Sequence, residues 1–256
     1  MGSWLGRLVG VGALLAVGAL SVVGAVGGVA LGAAEEEAAV TRTVALGAAT
    51  SARVEVALEN GRLLLAGGSL AGAGEPMPRG QLLRGQFTST ESAAEPDVEY
   101  AVEDGAGRLR LAQPGADAAF PWSARTDDWS LFLNPTVPTD LRVEVGAGES
   151  ALVLGGLTLT GLDVAAGAGS TTIDFGGDWR TDLSGRVASG AGDLTLRVPR
   201  GVGARIELGN NEGAVEAEGF TDDGGVYVND AFGSAPVTLD LRVDQGAGTL
   251  VLESVG

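Results

Sequence analysis

VEVGAGESALVL, residues Val143 to Leu154, carries the plan of the whole chain. Val143 and Val145 alternate with Glu144, and Leu152 and Leu154 alternate with Val153. A period of two puts successive side chains on opposite faces of a strand. Gly146-Ala147-Gly148 separates the two alternating runs, and such a run of small residues suits a tight bend in the backbone. Variants of the phrase begin at Val54, Tyr100, Val164, Val187, Ile206 and Val243. Successive starts from Val54 lie 46, 43, 21, 23, 19 and 37 residues apart, so the unit is 19 to 23 residues, with some copies degraded. A repeat of this length predicts supersecondary units stacked one on the next, none of which buries enough surface to fold alone.

Aligned copies form columns. Val143, Val164, Val187, Ile206 and Val243 make one; Leu152, Ile173, Leu196, Val215 and Leu252 a second; Leu154, Phe175, Val198 and Ala217 a third. They predict one continuous buried face, with Arg142, Glu144, Asp174 and Arg197 on the other side and Thr171 turned outward or close to the bend. A bend column runs through Gly148, Gly169, Gly192 and Gly248, with Asn210 and Asn211 standing in for Ala-Gly in one copy. The expected fold is therefore all-β, a single-stranded β-solenoid or stacked-strand rack with rungs of about 19–23 residues. The β domain covers 42–256, less regular over 42–139 and regular over 140–256. No helix longer than a turn or two is evident after residue 35.

Leu8 to Ala34 is 27 residues without a charge, preceded by Arg7 and followed by Glu35-Glu36-Glu37. It is long enough to cross a bilayer as a helix, which takes ~20 residues. Gly32-Ala33-Ala34 also offers the small residues of a cleavage site. Residues 1–34 are thus expected to be a hydrophobic helix acting as a signal anchor or a cleaved signal peptide, with 35–41 a linker. Either way the β domain is exported, across a bacterial cell membrane or into the medium, because Arg7 favours an inside N-terminus.

Composition removes several chemistries. There are no cysteines and no histidines, and all 16 basic residues are Arg. Thiol catalysis, Schiff-base formation and the commonest metal ligands are absent, and no cofactor is implied. The net charge of −17, with no basic cluster, argues against nucleic acid. Gly-Ala-Gly between two strands is not a phosphate loop, which needs a helix behind it. A calcium ladder in the bends would need an acid in every copy, but Glu149, Ser170, Asp193 and Thr249 follow the second glycine. The acid pairs Asp127-Asp128 and Asp222-Asp223 are the remaining acid–base candidates. Trp122 and Trp129 flank Asp127 and Asp128, so this loop is the candidate partner or glycan surface, with Trp129 alternatively packed against the core.

Five phrases carry a resemblance: QLLRGQF from Gln81, VEYAVEDGAGRLRLAQP from Val98, DWSLFLNPTVPTDLRVEVGAGESALVLGG from Asp128, LTLTGLDVAAGAGSTTIDF from Leu157 and GAGDLTLRVPRGVGARIELG from Gly190. In this order they resemble the toast-rack family, envelope domains similar to the C-terminal region of LiaF-type cell-envelope stress proteins. The resemblance implies an all-β rack, a link to envelope-stress sensing through protein contacts, and no catalytic residues. The chain departs from the LiaF arrangement in having one membrane segment.

The expected function is a non-enzymatic, membrane-tethered, extracytoplasmic scaffold or interaction module. A glycan-binding module is the alternative, and a carbohydrate-active enzyme a third reading. The expected partners are the membrane, through the N-terminal helix, and an envelope protein or a second copy meeting the rung Val243 to Leu252. That rung ends four residues from the C-terminus with no cap after it, unless Gly224 to Pro236 folds over it.

Overall fold

A computed structural model describes residues 39–68, 77–89, 95–114 and 126–256. The expected helix of 1–34 lies outside them. Among the described residues there is no helix, and sixteen strands join in one open sheet. Its heart is a pair of long strands, β7 (Thr139–Val153) and β8 (Leu159–Asp174). Each bends at its glycines into a first and a second arm. The two run parallel in register, Val143 against Val164, Gly148 against Gly169 and Leu152 against Ile173. Val187 and Leu196, in β9 (Leu183–Ala191) and β10 (Leu194–Pro199), extend the same columns.

The inner face is the one the alternation predicts. Val143, Leu152, Leu154, Val164, Ile173, Phe175, Val187, Leu196 and Val198 are at most 1% exposed. Arg142, Glu144 and Arg197 are exposed on the opposite face, and Asp174 is half-buried there. Full burial of such a side chain contributes ~1.5–3 kcal/mol. Thr171, two residues past the bend glycine Gly169, faces inward rather than outward. It is 4% exposed, because it shares the odd-numbered face of β8 with Ile173 and Phe175.

At the bend, Gly148 has φ +125° and a Cβ on it would lie 1.8 Å from the carbonyl oxygen of Gly61. Gly169, at φ +113°, would meet the carbonyl of Gly148 at 1.9 Å. The carbonyl of one rung fills the place where the next would carry a side chain, so backbone conformation and stacking both demand glycine.

The rungs are not stacked in chain order. β2 (Ser51–Gly67) lies on the other side of β7, and beyond it come β5 (Ala106–Ala112) on the first arm and β6 (Asp127–Leu133) on the second. At the opposite end β15 (Thr238–Ala247) and β16 (Thr249–Val255) stack directly on β9 and β10. β11 (Gly203–Asn211) and β12 (Ala214–Glu218), although earlier in the chain, lie outside them. The C-terminal rung is therefore interior. It was expected at the end of the stack, but both its strands are paired on both sides, and Leu250 and Leu252 are fully buried.

Antiparallel strands finish three of the four sheet ends: β4 (Asp97–Glu103) on β5, β3 (Gln81–Ser89) and then β1 (Val40–Ala45) on β6, and β14 (Val226–Asn229) with β13 (Phe220–Asp222) on β11. The segment from Gly224 thus does supply a cap, to β11 rather than to the C-terminal rung.

Register also corrects three copies of the repeat. The phrase from Tyr100 is not a rung but the β4–β5 hairpin. Asp104 (φ 51°) and Gly105 (φ 78°) form its two-residue turn, for which Asp-Gly is a strong signal. The copies from Val54 and Ile206 are each two residues out: Val56, not Val54, faces Val143, and Leu208, not Ile206, faces Val243. Ala217 accordingly joins the column of Leu252, and Val215 that of Leu250. A slip of two leaves every side chain on its own face, so hydropathy does not register it.

Buried amides replace missing rungs at the ends. Gln113 Oε1 accepts from the backbone N–H of Glu59 (2.9 Å) and Asn60 (3.0 Å) at the bend of β2. Asn229 Nδ2 donates to the carbonyl of Val202 (2.7 Å), and its Oδ1 accepts from the N–H of Ala204 (2.9 Å).

Candidate interaction surfaces

Alternation along β6 separates the residues singled out in the sequence. Trp129 points inward and is 2% exposed, its ring edge-on to Phe87 with centroids 5.3 Å apart. Asp127 shares that face and is 1% exposed. Neither can meet a glycan, because the inner face of β6 is core. Asp128 lies between them on the outer face, where Arg62 Nε donates to its Oδ1 at 3.0 Å. Trp122 lies outside the described residues. Asp128 borders a shallow groove of about 360 Å³, lined also by Asn60, Arg62, Thr88, Thr126 and Glu149. The second acid pair is exposed, and Asp222 Oδ1 accepts from the N–H of Gly225 at 2.9 Å, which secures the β13–β14 turn. Burial raises the Tyr227 phenol above its usual range, and Asp222 beside it adds to the shift.

The outer faces of the two arms differ in kind. On the first arm, parallel stacking sets acids beside arginines of the next rung. Arg53 Nε donates to Asp140 at 2.9 Å, Arg186 to Asp244 at 2.7 Å and Arg205 to Asp240 at 3.0 Å. Arg205 also donates to Glu207 at 2.8 Å, and Arg242 reaches the same carboxylate at 3.2 Å. The hydrogen bond and charge of Arg205 hold the Glu207 carboxyl below the usual glutamate range. Glu144, accepting from Arg142, raises that guanidinium further. Opposite charges set side by side on neighbouring strands favour this stacking, though only weakly where solvent screens them.

The second arm carries an uncharged row instead. Ser130, Leu64, Ala151, Thr172, Thr195 and Val251 lie side by side in register across six strands, all half-buried by their neighbours. Phe132 and Val153 widen it before Asp174, Arg197 and Glu253 restore charge. On a chain of net charge −17, this is an uncharged strip, bordered toward the bend by Arg62, Asp128 and Glu149.

A sequence model described as the N-terminal domain of toast_rack, DUF2154, matches residues 33–197. The chain belongs to the toast-rack family. No curated protein sequence matches it. The toast-rack domain is similar to the crystal structure of a candidate cell adhesion protein from Clostridium sporogenes, at 23% identity and TM-score 0.73 over 85% of this chain and 99% of that one. That likeness supports the fold. A candidate adhesin from Bacteroides fragilis aligns over 85% of this chain and 98% of its own at 12% identity, with a TM-score of only 0.31.

Among the described residues of the toast-rack domain, no three acidic, His or Cys side chains converge as a metal site. No helix among them is long and apolar enough to cross a membrane. Sequence reading missed the neutral face because its members lie 21 to 66 residues apart along the chain and join only through register. The available signal was the outward column Ala151, Thr172, Thr195, read alongside the inner ones.

Proposed function

We propose that this toast-rack domain is a non-enzymatic interaction module of the bacterial cell envelope, held outside the cytoplasmic membrane by its apolar N-terminal segment and linked to envelope stress through a protein partner. The observation that carries this reading is the contrast between the two arms. On the first arm Arg53, Arg186 and Arg205 are engaged by acids of neighbouring rungs, whereas the second arm sets an uncharged row, from Ser130 to Val251, between its own pairs Arg62–Asp128 and Arg197–Glu253. Contiguous apolar surface rimmed by polar residues marks interaction sites, and Leu64, Phe132, Val153 and Val251 supply the apolar part of this face. A photo-crosslinking residue at Thr172 in intact cells should capture one discrete envelope protein, and the same residue at Arg142 should not. Equal capture from both faces, or none from Thr172, would count against the proposal.

The groove beside Asp128 favours a second reading, a glycan-binding site, for which the sequence offers Trp122 six residues earlier. Asp128→Asn and Trp122→Ala should then each weaken retention on cell-wall glycan. Retention unchanged in both variants would dismiss it.

A further inference from the structure

Three of the four sheet ends are finished by antiparallel strands, and the fourth is not. Among the described residues, β12 pairs with β16 alone. It is the outermost strand of the second arm, and Glu216, beside Val251, ends that arm's uncharged row. The N–H of Ala214 donates to Gly248 in the turn before β16. In a parallel ladder the N–H and C=O of one residue point the same way and alternate along the strand. Ala214 and Glu216 are thus directed toward β16, and the backbone groups of Val215 and Ala217 face outward. The core is also open here. Leu250 and Leu252 are fully buried, but their neighbours on β12 are half-buried Val215 and exposed Ala217. On the other face of β12, Glu216 and Glu218 are exposed and make no ion pair among the described residues.

We infer that β12 accepts an antiparallel strand from a partner protein, a short extended segment alternating apolar and basic side chains. Its apolar residues would close the core over Val215 and Ala217, and its basic residues would lie beside Glu216 and Glu218. Backbone hydrogen bonds would supply affinity, and the alternation specificity. A second copy of this acidic chain is a poor occupant, because β12 against β12 would oppose glutamates. The inference rests on the interaction-module reading and names a docking edge for it.

The probe is a fluorescent peptide of alternating valine and arginine, titrated into the full chain in mild detergent and followed by anisotropy. Saturable binding at one peptide per chain is expected. A peptide with the same charges but N-methylated backbone should bind about tenfold more weakly or worse. Ala217→Pro removes only an outward donor, a substitution that sheet edges tolerate, and should cause a similar loss with the thermal melt retained. Should that variant fail to fold, a charge swap decides. Glu216→Arg with Glu218→Arg should transfer preference to a valine–glutamate peptide. Equal binding of the N-methylated peptide, an unchanged preference in the charge-swap variant, or head-to-tail oligomers dispersed by Ala217→Pro would overturn the inference. Capture of a partner from Thr172 without peptide binding would remove β12 while leaving the interaction-module reading intact.

Discussion

At the scale of single residues, the inner columns separate into positions that differ sharply in cost. Ile173 is fully buried in the middle of the stack, and Ile173→Ala should destabilise by ~2–5 kcal/mol in urea melts. Thr171→Ala also falls on a buried position and should cost measurably, though less, since it deletes fewer atoms. Ser150, one rung away, behaves oppositely. Its Oγ is buried with no hydrogen-bond partner, so Ser150→Ala should leave stability unchanged or raise it by up to ~1 kcal/mol. Glycines divide in the same way. Gly148→Ala meets both a forbidden φ and a backbone oxygen at 1.8 Å, and should prevent or severely weaken folding. Gly105→Ala meets only φ +78°, with Thr50 Oγ1 at 3.8 Å, and should cost ~1–2 kcal/mol.

At the scale of elements, pairing decides what composition leaves open. Hydrogen exchange should show alternation along β12, with the amides of Val215 and Ala217 exchanging fast and those of Ala214 and Glu216 protected. Uniform protection would mean that the outer edge is covered. On the first arm, the Arg205–Glu207 pair makes a pH-dependent contribution of known sign. Because Glu207 is held below its unfolded value, its contribution is present above the usual glutamate range, ~4.3, and is lost as pH falls through the depressed value. A titration followed by NMR should find Glu207 among the more acidic glutamates, and Arg205→Gln should move it upward. Strands, bends and inner faces were legible in the sequence wherever an alternating run met a glycine. Hairpin and rung were harder to separate, because Glu103-Asp104-Gly105 and Val145-Gly146-Ala147-Gly148 both read as a small-residue break between strands. Only the partner distinguishes them: β5 folds back on β4, whereas both arms of β7 lie between the neighbouring rungs β2 and β8.

At the scale of the whole molecule, the interposed C-terminal rung changes how the domain should fail. In a solenoid stacked in chain order, losing the last rung leaves the others folded, since each touches only its neighbours. Here β15 and β16 hold β9 and β10 to β11 and β12, so truncation after Val237 removes an interior layer. Circular dichroism should then show loss of the cooperative transition rather than a modest shift. Pairing Leu183 with Leu239 and Ala52 with Thr139 also makes contacts distant in sequence, which predicts folding on the ms–s scale of β topologies rather than the fast growth of a simple repeat.

The sequence by itself determined the all-β class, the buried columns around Val143 and Leu152, the need for glycine at the bends, and the absence of thiol and imidazole chemistry. Each of these follows from local alternation or from residue types that are simply missing. It also pointed to the loop of Trp122 and Trp129, but half of that constellation is core, because strand parity turns Asp127 and Trp129 inward and Asp128 outward. Rung order, the two-residue register of the copies at Val56 and Leu208, and the place of the open edge were decided only by the tertiary structure. Hydropathy repeats every two residues, so it fixes which face a side chain takes and says nothing about which strand lies beside it. That choice is made by the summed packing of whole rungs, by Gln113 and Asn229 satisfying backbone groups where rungs run out, and by the hairpin that carries the chain past β11 and back inside.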